Sequence, residues 1–196
     1  MVLASNAEWV VPAGLDERRF FVLEVGDGHK QDHAYFAAIN ADLEAGGFEN
    51  LLHFLRTYDL SDFEVRKVPQ TKALRGQQDH SLPPVQKFFK ANLRDGNPPG
   101  GAEPHWSGSG YFVTSDALIT AMKEQAILAQ GTKEAAGAKD QIGKFFSELG
   151  FRQIRESTGR RRYGYHWDVA GLRAGWDRWR GFPEDWPPLP DDGSPF

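Results

Sequence analysis

Residues 139–167 read KDQIGKFFSELGFRQIRESTGRRRYGYHW, and the spacing of apolar residues along this stretch decides the fold. Ile142, Phe145, Phe146 and Leu149 recur three and four residues apart, which gathers them on one face of a helix. Gly150 is placed to stop that helix. Lys139, Gln141 and Lys144 are left on the opposite, outward face. The period then changes to two. Residues 151–154 and 163–167 flank Ser157-Thr158-Gly159, a turn sequence, so a β-hairpin is predicted. Arg152 and Arg155 lie on its first arm, and Arg160, Arg161 and Arg162 follow the turn.

The flanking sequence fits around this centre. Upstream, Tyr111-Phe112-Val113 reads as a short strand, and Ser115 is a good N-cap for a helix carrying Leu118, Ile119, Met122 and Ile127. Downstream, residues 169–180 form a further helix with Leu172, Trp176 and Trp179 inward, and the tail from Phe182 is proline-rich, acidic and irregular. Successive helices followed by a two-stranded hairpin give the order of a winged helix-turn-helix. In that arrangement the last helix before the hairpin enters the DNA major groove and the hairpin lies on the backbone.

The N-terminal half reads differently. Residues 19–25 (RFFVLEV) predict a buried strand, and Trp9-Val10-Val11-Pro12 a short extended piece. A helical period begins near Lys30, with Tyr35, Phe36, Ile39 and Leu43, and stops at Gly46-Gly47. A second helix, 48–58, carries Leu51, Leu52 and Leu55 on one face, so an antiparallel helical hairpin is expected. Residues 70–79 predict a polar, exposed helix, and prolines 83 and 84 open another that presents Phe88 and Phe89. The Gly/Pro-rich stretch 95–110 is the expected boundary. The predicted organisation is therefore residues 1–94 as a helical unit, 95–110 as linker, 111–181 as a winged-helix-like unit and 182–196 as tail. The fold class is mainly α with a small β component.

The net charge of −4 argues against a polyanion partner until its distribution is considered. Residues 139–180 hold ten Lys/Arg against five Asp/Glu, leaving 13 basic and 22 acidic residues elsewhere. A basic region on an acidic chain is suited to DNA, since binding there releases condensed counterions. The expected contacts are Lys139, Gln141, Lys144, Arg152, Arg155, Arg160, Arg161 and Arg162. Guanidinium groups match phosphate bidentately, while lysine and glutamine near a helix N-terminus reach base edges. The competing expectation is a protein-interaction or self-association module that docks through Trp176, Trp179 and the Phe-rich middle, without touching DNA.

The sequence has no cysteine, which excludes disulfides and thiolate metal sites. No apolar run is long enough to span a membrane. A soluble, cytoplasmic protein is expected. There is neither a G-x-x-x-x-G-K-[ST] phosphate loop nor a G-x-S-x-G elbow, so the chain is not expected to be an enzyme by itself. His29 and His33 share i,i+4 spacing, as metal ligands on a helix do. Lys30, however, stands where a metalloprotease needs glutamate, and no third ligand is near.

One resemblance covers most of the chain. Ser5-Asn6, Trp9-Val10-Val11-Pro12-Ala13-Gly14 and Asp16-Glu17-Arg18-Arg19-Phe20-Phe21 resemble the end of the ATPase domain of phage and prophage primase–helicases, superfamily III-like proteins of the poxvirus primase–helicase type. The likeness continues through Asp32-His33-Ala34-Tyr35-Phe36, Gly46-Gly47 and Val68-Pro69-Gln70-Thr71 to the 139–151 helix and the arginine-rich hairpin. It implies a C-terminal replication module working with DNA and replication proteins. It further implies that Asn6 matches a sensor asparagine and that Arg18 or Arg19 matches an arginine finger. ATP and Mg²⁺ belong to the full-length family, since the Walker motifs and the primase region have no counterpart here.

Overall fold

The computed structural model describes residues 2–98, 102–104, 110–129, 133–156 and 161–189. The chain divides into two compact units, residues 1–80 and 81–196.

In the first unit, residues 2–26 run without regular structure. Helix α1 (His33–Asp42) is followed by a π-type joint, Leu43–Gly47, then α2 (Phe48–Thr57) and α3 (Lys72–His80). Asp32 caps α1 by accepting the Tyr35 N–H at 3.0 Å, satisfying one of the orphan donors of a first turn. Gly46, at φ 102°, ends it, because that backbone state costs a side-chain-bearing residue far more than glycine. The predicted helical hairpin does not acquire a core: no residue of α1 or α2 is buried.

Instead, α3 grips the extended N-terminal chain. The Gln77 Oε1 accepts the N–H of Val10 at 2.6 Å and of Val11 at 3.1 Å, and its Nε2 donates to the Glu8 carbonyl at 2.7 Å. The Gln78 Nε2 donates to the carbonyls of Gly14 and Leu15. A side-chain amide carries the same donor and acceptor as a peptide, so it can close a segment that has no partner strand. Leu74, Gln77 and Gln78 are buried, so α3 is not the exposed polar helix its sequence predicts.

The predicted strand 19–25 is likewise absent. The unit offers it no strand to pair with, and Phe21, Leu23 and Val25 are 56%, 66% and 89% exposed.

The second unit runs α4 (Pro84–Asp95), β1 (Glu103–Pro104), β2 (Tyr111–Val113), α5 (Ser115–Glu124), α6 (Lys133–Glu148), β3 (Gln153–Arg155), β4 (Tyr163–Trp167) and α7 (Val169–Arg180). The strands make a small antiparallel sheet in the order β1-β2-β4-β3. Its core joins Phe88, Phe89, Leu118, Met122, Ile142, Phe145, Phe146, Leu172 and Trp176. Phe89 packs on both Phe145 and Phe146, at 5.4 and 5.2 Å between ring centres. That contact places the division before α4 rather than in the expected 95–110 linker, since α4 supplies part of this core. Helix α5 is capped by Thr114, whose hydroxyl accepts the Ala117 N–H at 3.1 Å, one residue before the predicted Ser115. Trp176 is fully buried, and Trp179 packs against the same core. Trp176 is therefore part of the core, while Trp179 is half-buried at its edge.

Of the tail, residues 182–189 are described; they are irregular but tied down. Glu184 accepts from Lys90 at 3.1 Å and pairs with the buried Arg180. Asp177 accepts the Glu184 N–H and the Trp186 indole N–H. Arg173 donates through Nε and Nη2 to the Leu93 carbonyl, at 2.9 and 2.7 Å, and through Nη1 to that of Pro187 at 2.7 Å. Burial pulls this guanidinium below its ordinary pKa, with Asp177 opposing.

Candidate nucleic-acid interface

Helix α6 positions the first part of the candidate surface. Its inner face, formed by Ala138, Ile142, Phe145, Phe146 and Leu149, is buried, so Lys139, Gln141 and Lys144 point outward, all exposed. The helix begins at Lys133, six residues before the predicted start. Lys139 and Gln141 therefore sit in its second and third turns, not at its N-terminus. The face they share is close to neutral. Lys139 pairs with Asp116 at 3.3 Å and Lys144 with Glu148 at 3.8 Å. Such exposed pairs are weak and exchange readily for other partners.

The hairpin forms the second part. Strand β3 pairs with β4 in the register Gln153↔Tyr165, Ile154↔Gly164, Arg155↔Tyr163. The Glu156 N–H to Arg162 carbonyl bond, 2.9 Å, extends the ladder. The hairpin is seated on α6 by Tyr165, whose ring stacks on Phe146 at 4.1 Å and 6°. Beneath β4, Gly164 faces the Val113 carbonyl and the Phe112 ring so closely that a Cβ has no room. The Tyr165–Phe146 stack and the close fit of Gly164 tie β4 to α6 and to β2.

The arginines differ in availability. Arg152, Arg155 and Arg161 are exposed. Arg155 lies over the Tyr163 ring at 5.4 Å and donates to the Arg161 carbonyl at 3.2 Å. Arg161 takes a left-handed backbone, φ 51°. Arg162 is committed inward, with Nη2 2.7 Å and Nε 3.1 Å from the Glu156 carboxylate. Arg160 lies outside the described residues. The charge count over residues 139–180 also includes Arg173 and Arg180, both buried. Their positions carried a signal that was missed: each shares the helical face of Leu172 and Trp176, which points inward. The partners that temper the surface, Asp116, Glu148 and Glu156, were missed as well.

The residues matched to an ATPase site lie in the first unit, and all three are exposed. Glu17 gathers Arg18 and Arg19: its Oε1 accepts their N–H groups at 3.0 and 2.7 Å and lies 3.3 Å from the Arg19 Nε. The Arg19 backbone N–H, then its guanidinium, hold the Glu17 carboxyl below its ordinary pKa. His29 is engaged by its neighbours, with Nδ1 3.2 Å from Asp32 and its ring stacked on Tyr35 at 3.7 Å. The Tyr35 N–H first, then His29, lower the Asp32 pKa. Among the described residues, no group of three possible metal ligands gathers, and no helix is long and apolar enough to cross a membrane.

What the second unit presents is a set of exposed guanidinium groups on the hairpin and a nearly neutral face on α6. No family model, curated protein or solved structure matches this chain.

Proposed function

We propose that residues 81–196 form a DNA-binding unit of winged-helix type, in which the hairpin holds the phosphate backbone and α6 faces the groove. The observation that carries this reading is the hairpin itself, with Arg152 and Arg155 exposed on its first arm and Arg161 leading into its second, which the Tyr165–Phe146 stack holds to α6. The order helix, two short strands, two helices, hairpin, with β2 pairing to the second hairpin strand, agrees with it. Because α6 is nearly neutral, the hairpin supplies most of the affinity. Gln141, with Lys139 and Lys144 once freed from their acids, is positioned for base edges.

Together with the resemblance of the N-terminal residues, this makes the chain the DNA-gripping module of a phage-type primase–helicase. Nucleotide chemistry in such a protein rests on Walker motifs this sequence does not contain. Asn6 and Arg18 or Arg19 would serve it only beside such a core, where an exposed arginine can stabilise a transferring phosphoryl group.

Fluorescence anisotropy with labelled duplex and forked DNA, at several salt concentrations, tests the proposal. Binding should weaken steadily as salt rises. The variant Arg152→Ala/Arg155→Ala/Arg161→Ala should bind at least about tenfold more weakly and show a shallower salt dependence. No binding at low salt, or an affinity untouched by that variant, would overturn it.

A further inference from the structure

Helix α2 carries an apolar face that the rest of the first unit leaves uncovered. Phe48, Leu51, Leu52, Phe54, Leu55 and Tyr58 are between 49% and 61% exposed. At 100° per residue they fill one continuous arc. With side chains of order 200 Å² each, roughly 600 Å² of apolar surface lies on this one element. That is at the upper limit of the largest patch on a typical monomer and approaches the ~800 Å² that each partner contributes to a standard interface. A ten-residue helix without a buried residue is also too short to hold its form unaided in water. The face calls for a partner.

We propose that the partner is the same helix of a second copy, packed antiparallel about a two-fold axis. The helix is self-complementary in that orientation. Setting Phe48 opposite Leu55 of the second copy sets Leu51 opposite its Leu52, so four apolar contacts close from either end. In an antiparallel pair related by a two-fold axis, each flank meets the same flank of its mate. On the flank beside Leu52 stand Glu49 and Arg56, which with His53 and Thr57 line a shallow groove of about 450 Å³. In this register Glu49 lies level with Phe54 of the second copy, two residues or about 3 Å along the axis from its Arg56, which stands on the same flank as Glu49. Two reciprocal Glu49–Arg56 pairs follow, one at each end. In a parallel pair the two-fold axis runs along the helices, so each flank meets the opposite flank of its mate, and the Glu49–Arg56 flank would face the Phe54 flank with no charge to pair. Residues 20–65 hold nine acids against two Lys/Arg, but α2 itself has one of each, so its face is the part of this region that does not repel a copy of itself.

Sedimentation of the full chain across concentrations tests this. The mass should rise with concentration from 22.0 kDa toward twice that value. Leu51→Glu/Leu55→Glu should hold it at the monomer, with far-UV dichroism confirming that the second unit stays folded. The charge pair supplies the decisive comparison. Glu49→Arg alone and Arg56→Glu alone should each weaken dimerisation about tenfold, and the exchange Glu49→Arg/Arg56→Glu should restore it. Since the chain has no cysteine, orientation can be fixed chemically: Phe48→Cys/Leu55→Cys should form disulfide dimers readily, and either single variant only slowly. A chain that stays at 22.0 kDa to its solubility limit leaves this face to a different protein and overturns the proposal. So does a dimer insensitive to the charge variants, or one that the single cysteines crosslink as fast as the pair.

Discussion

Truncating two phenylalanines to alanine, Phe146 in α6 and Phe54 in α2, should have very different consequences although the chemistry is the same. Phe146 is completely buried, so its loss removes transfer free energy and leaves a cavity, about 3–5 kcal/mol for a phenylalanine. Its ring also meets Tyr165 at 4.1 Å, Phe89 at 5.2 Å and Phe151 at 6.1 Å. Aromatic pairs add roughly 0.5–1.5 kcal/mol each, partly counted already. The cost should therefore fall in the upper part of that range, about 4–5 kcal/mol, a large share of the 5–15 kcal/mol typical of a domain. Phe54, 54% exposed with one ring neighbour, Tyr58 at 5.3 Å, should cost under about 1 kcal/mol. Urea unfolding measures both as midpoint shifts at constant slope, with tryptophan fluorescence, dominated by the indoles of the second unit, reporting Phe146→Ala and far-UV dichroism reporting Phe54→Ala. Equal losses for the two variants, or a loss below about 1 kcal/mol for Phe146→Ala, would refute the placement of the core.

Three further outcomes follow from local geometry. Gly164→Ala should cost about 1–3 kcal/mol, because its Cβ would strike the Val113 carbonyl and the Phe112 ring. Amide exchange should speed up at Phe112 and His166, which pair across β2 and β4. Asp168→Ala should cost about 1 kcal/mol in thermal unfolding, since Asp168 caps α7 through the Gly171 N–H at 2.6 Å, and Asp168→Asn should recover most of it. The Glu17 carboxyl should titrate below its ordinary 4.5 by carbon NMR. A depressed carboxylate contributes stability that is full above that value and lost as pH falls through the folded one. Arg19→Ala should raise the midpoint only partway, because the Arg19 backbone N–H is the larger cause.

The second unit was legible because each of its signals is local. Ile142, Phe145, Phe146 and Leu149 fix the inner face of α6, Gly150 its end, and the change to period two its hairpin. The start of α6 was not legible, since residues 133–138 are too poor in large apolar side chains to show a period. The first unit was misread for a different reason. Strand propensity in Phe20–Val25 reports what the backbone would do beside another strand, and says nothing about whether one is present. The burial of Gln77 and Gln78 depends on an extended segment some 65 residues away, which no helical period can register. At the candidate site, composition located the basic region, but charge counting could not separate the exposed Arg155 and Arg161 from Arg173 and Arg180, which pack inward.

The claim that α6 and the hairpin hold DNA is most directly tested by amide chemical-shift mapping of the full chain during titration with a short duplex. The perturbed residues should be Lys139, Gln141 and Lys144 together with 152–156 and 161–163, with residues 2–80 unmoved. Shifts confined to the first unit, or none at saturating duplex in low salt, would contradict it.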